Sequence, residues 1–353
     1  MTDDVLVRRE AAAGILSLDR PKAIHSLTLD MVRAMTGALL EWRDDPAVEA
    51  VIVDHAEGRG FCAGGDINLL RRSALEDGGE SGRQFFFEEY RLNHLLFTFP
   101  KPVVAFMDGI TMGGGVGISQ PAEFRVATGN TSLAMPETGI GLFPDVGGGW
   151  YLSRLPGRLG QFLALTGARL DGGECLWAGI ATHYLPDEEL GQAKERIAAH
   201  PGRIAGILAE LAATQPTARI EGNAPKIARL FASDRYEDIL ASLSAGQGAW
   251  AAKELATLRT KSPQSCKVAL RQLSQSTQLD NFADNMRMEY RIASRVLMRP
   301  DFVEGVRAVI VEKTGDPQWN PATPEGVNED LLDAIFAPLP PEEEWTPLVG
   351  ERK

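Results

Sequence analysis

Three glycine-dense segments, 58–67, 109–117 and 135–149, punctuate the first half of the chain, each where an apolar, strand-like run gives way to a helix or a loop. Such placement calls for short strands that turn sharply, because glycine alone takes positive φ at no steric cost and lets another backbone approach closely. The surrounding pattern agrees. Residues 5–7 and 14–18 read as strands, 28–42 as an amphipathic helix and 50–53 as a third strand, which is a ββα rhythm. It recurs with a helix over 83–97 that stops at Pro100, then apolar strands at 103–106 and 124–127. The expected class is α/β, built as several turns of a layered unit. After Pro201 strand signals thin, and Ala/Leu/Arg-rich helical segments are broken at Pro216, Pro225, Pro263 and Pro300. The close, with Pro317, Pro321, Pro324, Pro338, Pro340 and Pro341, is expected to be an irregular tail. The division predicted is a core carrying the active site over 1–200 and a helical region with its tail over 201–353.

Composition narrows the function. With 44% hydrophobic and 24% charged residues over 353 positions, the chain has enough apolar matter for a sizeable core. A net charge of −12 argues against a broad basic surface, so no nucleic-acid partner is expected, while a local basic pocket for a phosphorylated ligand stays compatible. Cys62, Cys175 and Cys266 are widely spaced and form no C-x-x-C pair, which suggests neither disulfides nor zinc. Charges such as Lys101 and Asp108 interrupt the longest apolar region, so no membrane partner is expected. The acidic start, Met1-Thr2-Asp3-Asp4, is unlike a secretory or transit segment and points to the cytoplasm. No G-x-S-x-G or H-E-x-x-H occurs, and the 5 histidines have no ligand spacing. G-x-G-x-x-G and P-loop spacings are missing as well.

Chemistry is concentrated at the glycine segments. Asp66 can cap a helix that starts at Ile67, with the N–H of Gly65 beside the helix's positive end. On glycine alone, both this segment and Gly113-Gly114-Gly115-Val116-Gly117 read as tight turns; the same bare N–H groups also suit an oxyanion hole. In the third segment Glu137 and Asp145 stand in an apolar stretch without a neighbouring Lys or Arg. Asp145 either caps a helix beginning near Val146 or serves acid–base work, and Glu137 has no capping role to explain it. On the 83–97 helix Glu89 interrupts the stripe formed by Phe85, Leu92 and Leu96, which turns it inward unless it snorkels out toward Arg83 or Arg91.

Taken together, these segments resemble the enoyl-CoA hydratase/isomerase (crotonase) superfamily, and in detail its 3-hydroxyisobutyryl-CoA hydrolase branch. Leu18-Asp-Arg-Pro-Lys22-Ala-Ile is similar to the superfamily's CoA-contacting loop, and Phe61-Cys-Ala-Gly-Gly65-Asp66 and Gly113-Gly114-Gly115 to its oxyanion segments. The run from Met135-Pro-Glu137-Thr to Leu142-Phe-Pro-Asp145-Val-Gly-Gly-Gly149 resembles the hydrolase branch. So do Phe87-Glu-Glu89-Tyr-Arg-Leu-Asn, Asp301-Phe-Val-Glu-Gly-Val-Arg307-Ala and Asp316-Pro-Gln-Trp-Asn-Pro321. The resemblance implies a crotonase-like spiral of repeated ββα units with a helical C-terminal region. It implies that the N–H groups of Gly65 and Gly114 hold a thioester oxygen and that Glu137 is the principal acid/base or nucleophile. Asp145 would bind a 3-hydroxyl or assist proton transfer, Glu89 would line the pocket, and Lys22, Ala63, Gly65, Asp66 and Ile67 would contact CoA. No cofactor or metal is implied, because CoA belongs to the substrate; homo-oligomerisation is left open.

One departure bears on the reaction. Superfamily hydratases carry a glutamate where this chain has Gly117. Hydration then lacks one of its two proton-handling groups, whereas hydrolysis needs an oxyanion hole and one carboxylate, since a thiol with a pKa near ~8.5 leaves readily as thiolate. The expected reaction is hydrolysis of a small 3-hydroxyacyl-CoA, as in valine breakdown. Enoyl-CoA isomerisation or hydration, and non-catalytic binding of a CoA thioester, are the alternatives.

Overall fold

The computed structural model describes residues 2–348. Its chain opens with an antiparallel hairpin, β1 (Val5–Glu10) and β2 (Ala13–Leu18), followed by helix α1 (Leu29–Asp44). Thr28 starts that helix by accepting the N–H of Met31. Strand pairs then alternate with helices. The first pair is β3 (Ala50–His55) and β4 (Gly60–Cys62), with α2 (Ile67–Glu76) and α3 (Glu80–Phe97) after it. Next come β5 (Val103–Met107), β6 (Ile110–Met112) and α4 (Gly114–Ser119), then β7 (Phe124–Ala127) and β8 (Ser132–Ala134). The first strand of each pair joins one sheet, ordered β1-β2-β3-β5-β7-β10 with β10 at His183–Tyr184, and the second joins another, ordered β4-β6-β8-β9 with β9 at Leu170–Asp171. The chain therefore winds as a spiral, each turn adding one strand to each sheet.

Between β8 and the last strands lie α5 (Gly148–Ser153) and α6 (Leu159–Thr166). Strand β9 (Leu170–Asp171), helix α7 (Gly172–Trp177) and strand β10 (His183–Tyr184) follow. Strands β3 and β5 are buried almost throughout, as parallel strands covered on both faces must be. Ile15, Ile52, Val104 and Val126 face one side, under α8 (Leu190–Ala199) and α9 (Ile204–Leu211), which supply Ile197 and Leu208. Leu16, Val51, Val53 and Ala105 face the other side and join an apolar core that runs from Val5 to Trp345.

Among the described residues no strand follows Tyr184. The chain continues through α10 (Ala224–Leu230), α11 (Tyr236–Ala245), α12 (Ala249–Leu258), α13 (Pro263–Ser276), α14 (Phe282–Val296) and α15 (Pro300–Val306). Residues Arg307–Val311 add a π-helical turn. The proline-rich close is more regular than expected, because α16 (Glu329–Phe336) forms between its prolines, capped by Asn328 and buried through Leu332, Ile335 and Phe336. Beyond it Trp345 is fully buried, its indole N–H donating to the carbonyl of Phe87. The helix expected from Arg83 begins earlier, at Glu80, after Gly78 and Gly79, both with positive φ.

Candidate active site

Each glycine segment becomes the connection that follows a strand. After β4 the chain passes through Gly64, at φ +114°, and Gly65 before Asp66 caps α2 by accepting the N–H of Leu69 at 3.2 Å. After β6, Gly113 turns the chain into α4 at φ +46°. The two connections touch, since a Cβ on Gly115 would lie 2.4 Å from the carbonyl oxygen of Cys62. This close approach sets Gly65 and Gly114 beside one another. Neither N–H donates to a protein acceptor among the described residues, and both glycines line a cavity of about 440 Å³.

Three carboxyl groups converge on that cavity. Glu137 opens the short turn Glu137–Ile140, closed by the N–H of Leu142 on the Glu137 carbonyl at 3.0 Å. Its Oε1 lies 3.1 Å from where a Cβ on Gly113 would stand, and Glu89 Oε1 lies 2.7 Å from the corresponding point on Gly114. Glu89 is thus buried and does not snorkel; Arg91 bonds Thr346 instead. Asp145 accepts the phenolic hydroxyl of Tyr90 at 2.8 Å. It does not cap α5 with its side chain. Glu289, from α14, takes that place by accepting the N–H groups of Gly147 at 2.7 Å and Gly149 at 2.9 Å. Glu89 Oε1 and Glu137 Oε2 are buried without a hydrogen-bond partner among the described residues.

Burial dominates the electrostatics. It pushes Glu89 and Glu137 well above the ordinary carboxylate range, and the nearby Asp145 pushes both further. Lys261 pulls Glu137 partly back. Asp145 is itself raised by burial to about 7, restrained by the Tyr90 hydroxyl. A carboxyl whose pKa is higher folded than unfolded takes stability away as pH rises, here between about 4 and about 7. Asp145→Asn keeps an acceptor for Tyr90 and removes this penalty. We expect it to resist urea better than the parent at pH 8, by on the order of 2 kcal/mol, with the gap closing toward pH 4. Equal gaps at both pH values would contradict the raised pKa.

The cavity brings together Ala63, Gly65, Ile67, Glu89, Gly114, Glu137 and Asp145. It does not take in Lys22, which is exposed away from the lining, or Asp66, whose carboxylate caps α2 and pairs with Arg20 at 3.3 Å. The helical half adds residues that sequence reasoning missed: Thr260, Lys261, Val309, Ile310 and Pro317. Arg169, exposed at the cavity lining, was missed as well. The motifs at 301–321 build this wall. Asp301 accepts the hydroxyl of Ser262 and the N–H of Asn320, Glu304 accepts the N–H of Gln318, and the Trp319 indole donates to the carbonyl of Thr260. Nothing local in sequence marks Lys261 or Glu289, because only the folded chain brings them to residues more than a hundred positions away.

Gly117 is closed off. A Cβ there would stand 2.6 Å from Val146 Cβ and 2.9 Å from Asn93 Nδ2. Val146 itself holds φ +52°, a strained setting for a β-branched residue. The position where hydratases carry glutamate is therefore filled by neighbouring side chains. Among the described residues no group of His, Cys, Asp and Glu could hold a metal ion.

The pattern of the family described as enoyl-CoA hydratase/isomerase matches residues 13–336, and the chain belongs to that family. The 3-hydroxyisobutyryl-CoA hydrolase, mitochondrial, of Xenopus tropicalis is 41% identical over 349 residues, covering 95% of this chain and 89% of the relative. The human protein of the same name is 39% identical over 351 residues, covering 96% and 89%. A solved structure described as a carnitinyl-CoA dehydratase from Mycobacterium thermoresistibile is 40% identical and superposes with a TM-score of 0.92, covering 98% of this chain and 99% of that one. Another, an enoyl-CoA hydratase from Rhodobacter sphaeroides, is 37% identical with a TM-score of 0.90, covering 98% and 100%. The mixed α/β spiral with its helical C-terminal region is thus a shared fold. The hydrolase relatives correct one expectation: all are named mitochondrial proteins, and the cytoplasmic placement read from the acidic N-terminus is withdrawn.

Proposed function

We propose that this chain hydrolyses the thioester of a small 3-hydroxyacyl-CoA, foremost 3-hydroxyisobutyryl-CoA, to the free acid and CoA. The observation that carries this reading is Gly117 packed against Val146, beside an intact pair of unpaired glycine N–H groups and the buried Glu137. In our reading the N–H groups of Gly65 and Gly114 receive the thioester oxygen as it gains negative charge, each contributing a few kcal/mol (about 3) to the transition state. Glu137 supplies the oxygen nucleophile, either by taking a proton from water or by attacking the carbonyl itself to give an anhydride that water opens. In both routes the C–S bond breaks and CoA leaves as thiolate. Asp145, oriented by Tyr90, receives the 3-hydroxyl, and Glu89 closes the wall behind the acyl group. Ala63 and Ile67 flank the thioester arm of CoA, and Arg169, exposed at the lining, suits its phosphates better than Lys22 does. The names of the hydrolase relatives support the substrate.

A second reading, hydration or isomerisation of an enoyl-CoA, is favoured by the multiple carboxyls in the cavity and by the names of the two solved structures. Thiol release from (S)-3-hydroxyisobutyryl-CoA, 3-hydroxypropionyl-CoA and crotonyl-CoA, measured side by side, separates the two. Hydrolysis predicts rapid CoA release from the hydroxyacyl substrates. A change in crotonyl-CoA absorbance without thiol release would instead support the second.

A further inference from the structure

Lys261 reaches the catalytic cavity from the helical half of the chain. It sits on the turn between α12 and α13, and that turn is tied on both sides. The N–H of Ser262 donates to the carbonyl of Thr138 at 3.1 Å, directly beside Glu137. The Trp319 indole donates to the carbonyl of Thr260 at 3.1 Å, and the Ser262 hydroxyl donates to Asp301. The turn is thus fastened to the Glu137–Ile140 segment and to the 301–320 wall together. The side chain of Lys261 then lies over the first of these, its Nζ 3.3 Å from where a Cβ on Gly139 would stand. It is half-buried, lines the cavity, and its ammonium has neither ion pair nor hydrogen bond among the described residues.

The groups that act on it are Glu137 and the Cys266 thiol, and the cavity it shares and the wall behind that cavity hold further acids. Glu137 comes from the turn beneath, Glu89 and Tyr90 from α3, Asp145 from the loop before α5, and Glu289 stands behind Asp145 on α14. The Cys266 thiol on α13 is buried nearby, and Arg169, the other cation lining the cavity, is exposed. We propose that Lys261 is a positioning residue whose ammonium is the counter-charge that favours the carboxylate form of Glu137 against its burial and the neighbouring acid. The proposal rests on the role given to Glu137 above. Burial and Asp145 both favour the protonated, unreactive Glu137, and Lys261 is the group that opposes them through charge. Gly139 leaves the room the ammonium needs.

The test is a ¹³C-glutamate NMR titration of the full-length protein, with the Glu137 signal assigned by its loss in Glu137→Gln, alongside kcat/KM for CoA release against pH. Lys261→Met should raise the Glu137 midpoint by about one pH unit and move the acidic limb of kcat/KM up with it, about tenfold less activity one unit below the limb. The loss should shrink as pH rises, and Lys261→Arg should restore the midpoint. Lys261→Gln, a second neutral variant, guards against a folding defect in the first. An unmoved Glu137 midpoint in both neutral variants overturns the proposal. So does a loss that is the same at every pH and lies wholly in KM, which would make Lys261 a binder of CoA phosphate. The NMR titration needs no turnover. If the parent enzyme releases no CoA, the hydrolase reading fails while the role of Lys261 is still decided.

Discussion

We expect Glu137→Gln to lower CoA release from 3-hydroxyisobutyryl-CoA by about a thousandfold or more while the protein stays folded. Glutamine fills the same space and retains a carbonyl oxygen, but it can neither take a proton from water nor form an acyl anhydride, so both routes open to Glu137 close at once. The usual objection, that loss of a buried group simply unfolds the protein, is weak at this position. Glu137 is 5% exposed, its Oε2 is unpartnered, and burial already disfavours its charge. Removing the charge relieves that penalty, so the thermal midpoint of the variant should equal or exceed the parent's. Unchanged hydrolysis by a folded Glu137→Gln protein would remove Glu137 from the mechanism.

The second large effect is expected at Gly114. Its Cβ in Gly114→Ala would stand 2.7 Å from Glu89 Oε1, 3.1 Å from Leu27 Cδ1 and 3.2 Å from the backbone carbon of Gly64. Glu89 is the flexible neighbour, but the Gly64 backbone leads directly to Gly65, whose N–H is the partner donor in our reading. Accommodating one methyl group therefore displaces both donors together. We expect kcat to fall by about 10²- to 10³-fold, the size of effect seen when one oxyanion donor is lost, with a smaller change in KM. Gly37→Ala is the matched control: it lies in α1 with nothing within 4 Å of the added carbon, and should leave kcat unchanged. Equal kcat in Gly114→Ala and Gly37→Ala would show that the 113–117 glycines serve packing alone.

These expectations share a physical origin. The site holds Glu89, Glu137 and Asp145 in one cavity, with Glu289 just behind, and the stability lost by burying acids is tolerated because the surrounding apolar core is continuous from Val5 to Trp345. Such a site is stabilised by removing its acids and disabled by the same change. The Asp145→Asn and Glu137→Gln variants test both halves of that statement.

How far the amino-acid pattern alone reached can be judged residue by residue. The strand–glycine–helix alternation was legible as repeated turns of a layered α/β unit, because apolar runs and glycine turns are local properties, whereas the spiral winding followed from the family resemblance. The strand predicted at 124–127 and the helix capped by Asp66 are present where expected. The inward turn of Glu89 was likewise legible from helical spacing. Asp145 was not decided locally: sequence left a helix cap and a site acid equally open. The choice fell to Glu289, which caps α5 from α14 and leaves the Asp145 carboxylate to Tyr90. Gly117 could be seen to lack a carboxylate, but only packing against Val146 and Asn93 shows that its space is taken. Lys22 was placed at CoA by motif and lies outside the cavity, whereas Lys261, with no motif around it, lies inside. Sequence determines what a segment does with its own neighbours. Where a charge ends up relative to a carboxyl more than a hundred residues away is decided by tertiary packing, which makes those contacts and sets the low dielectric in which they act.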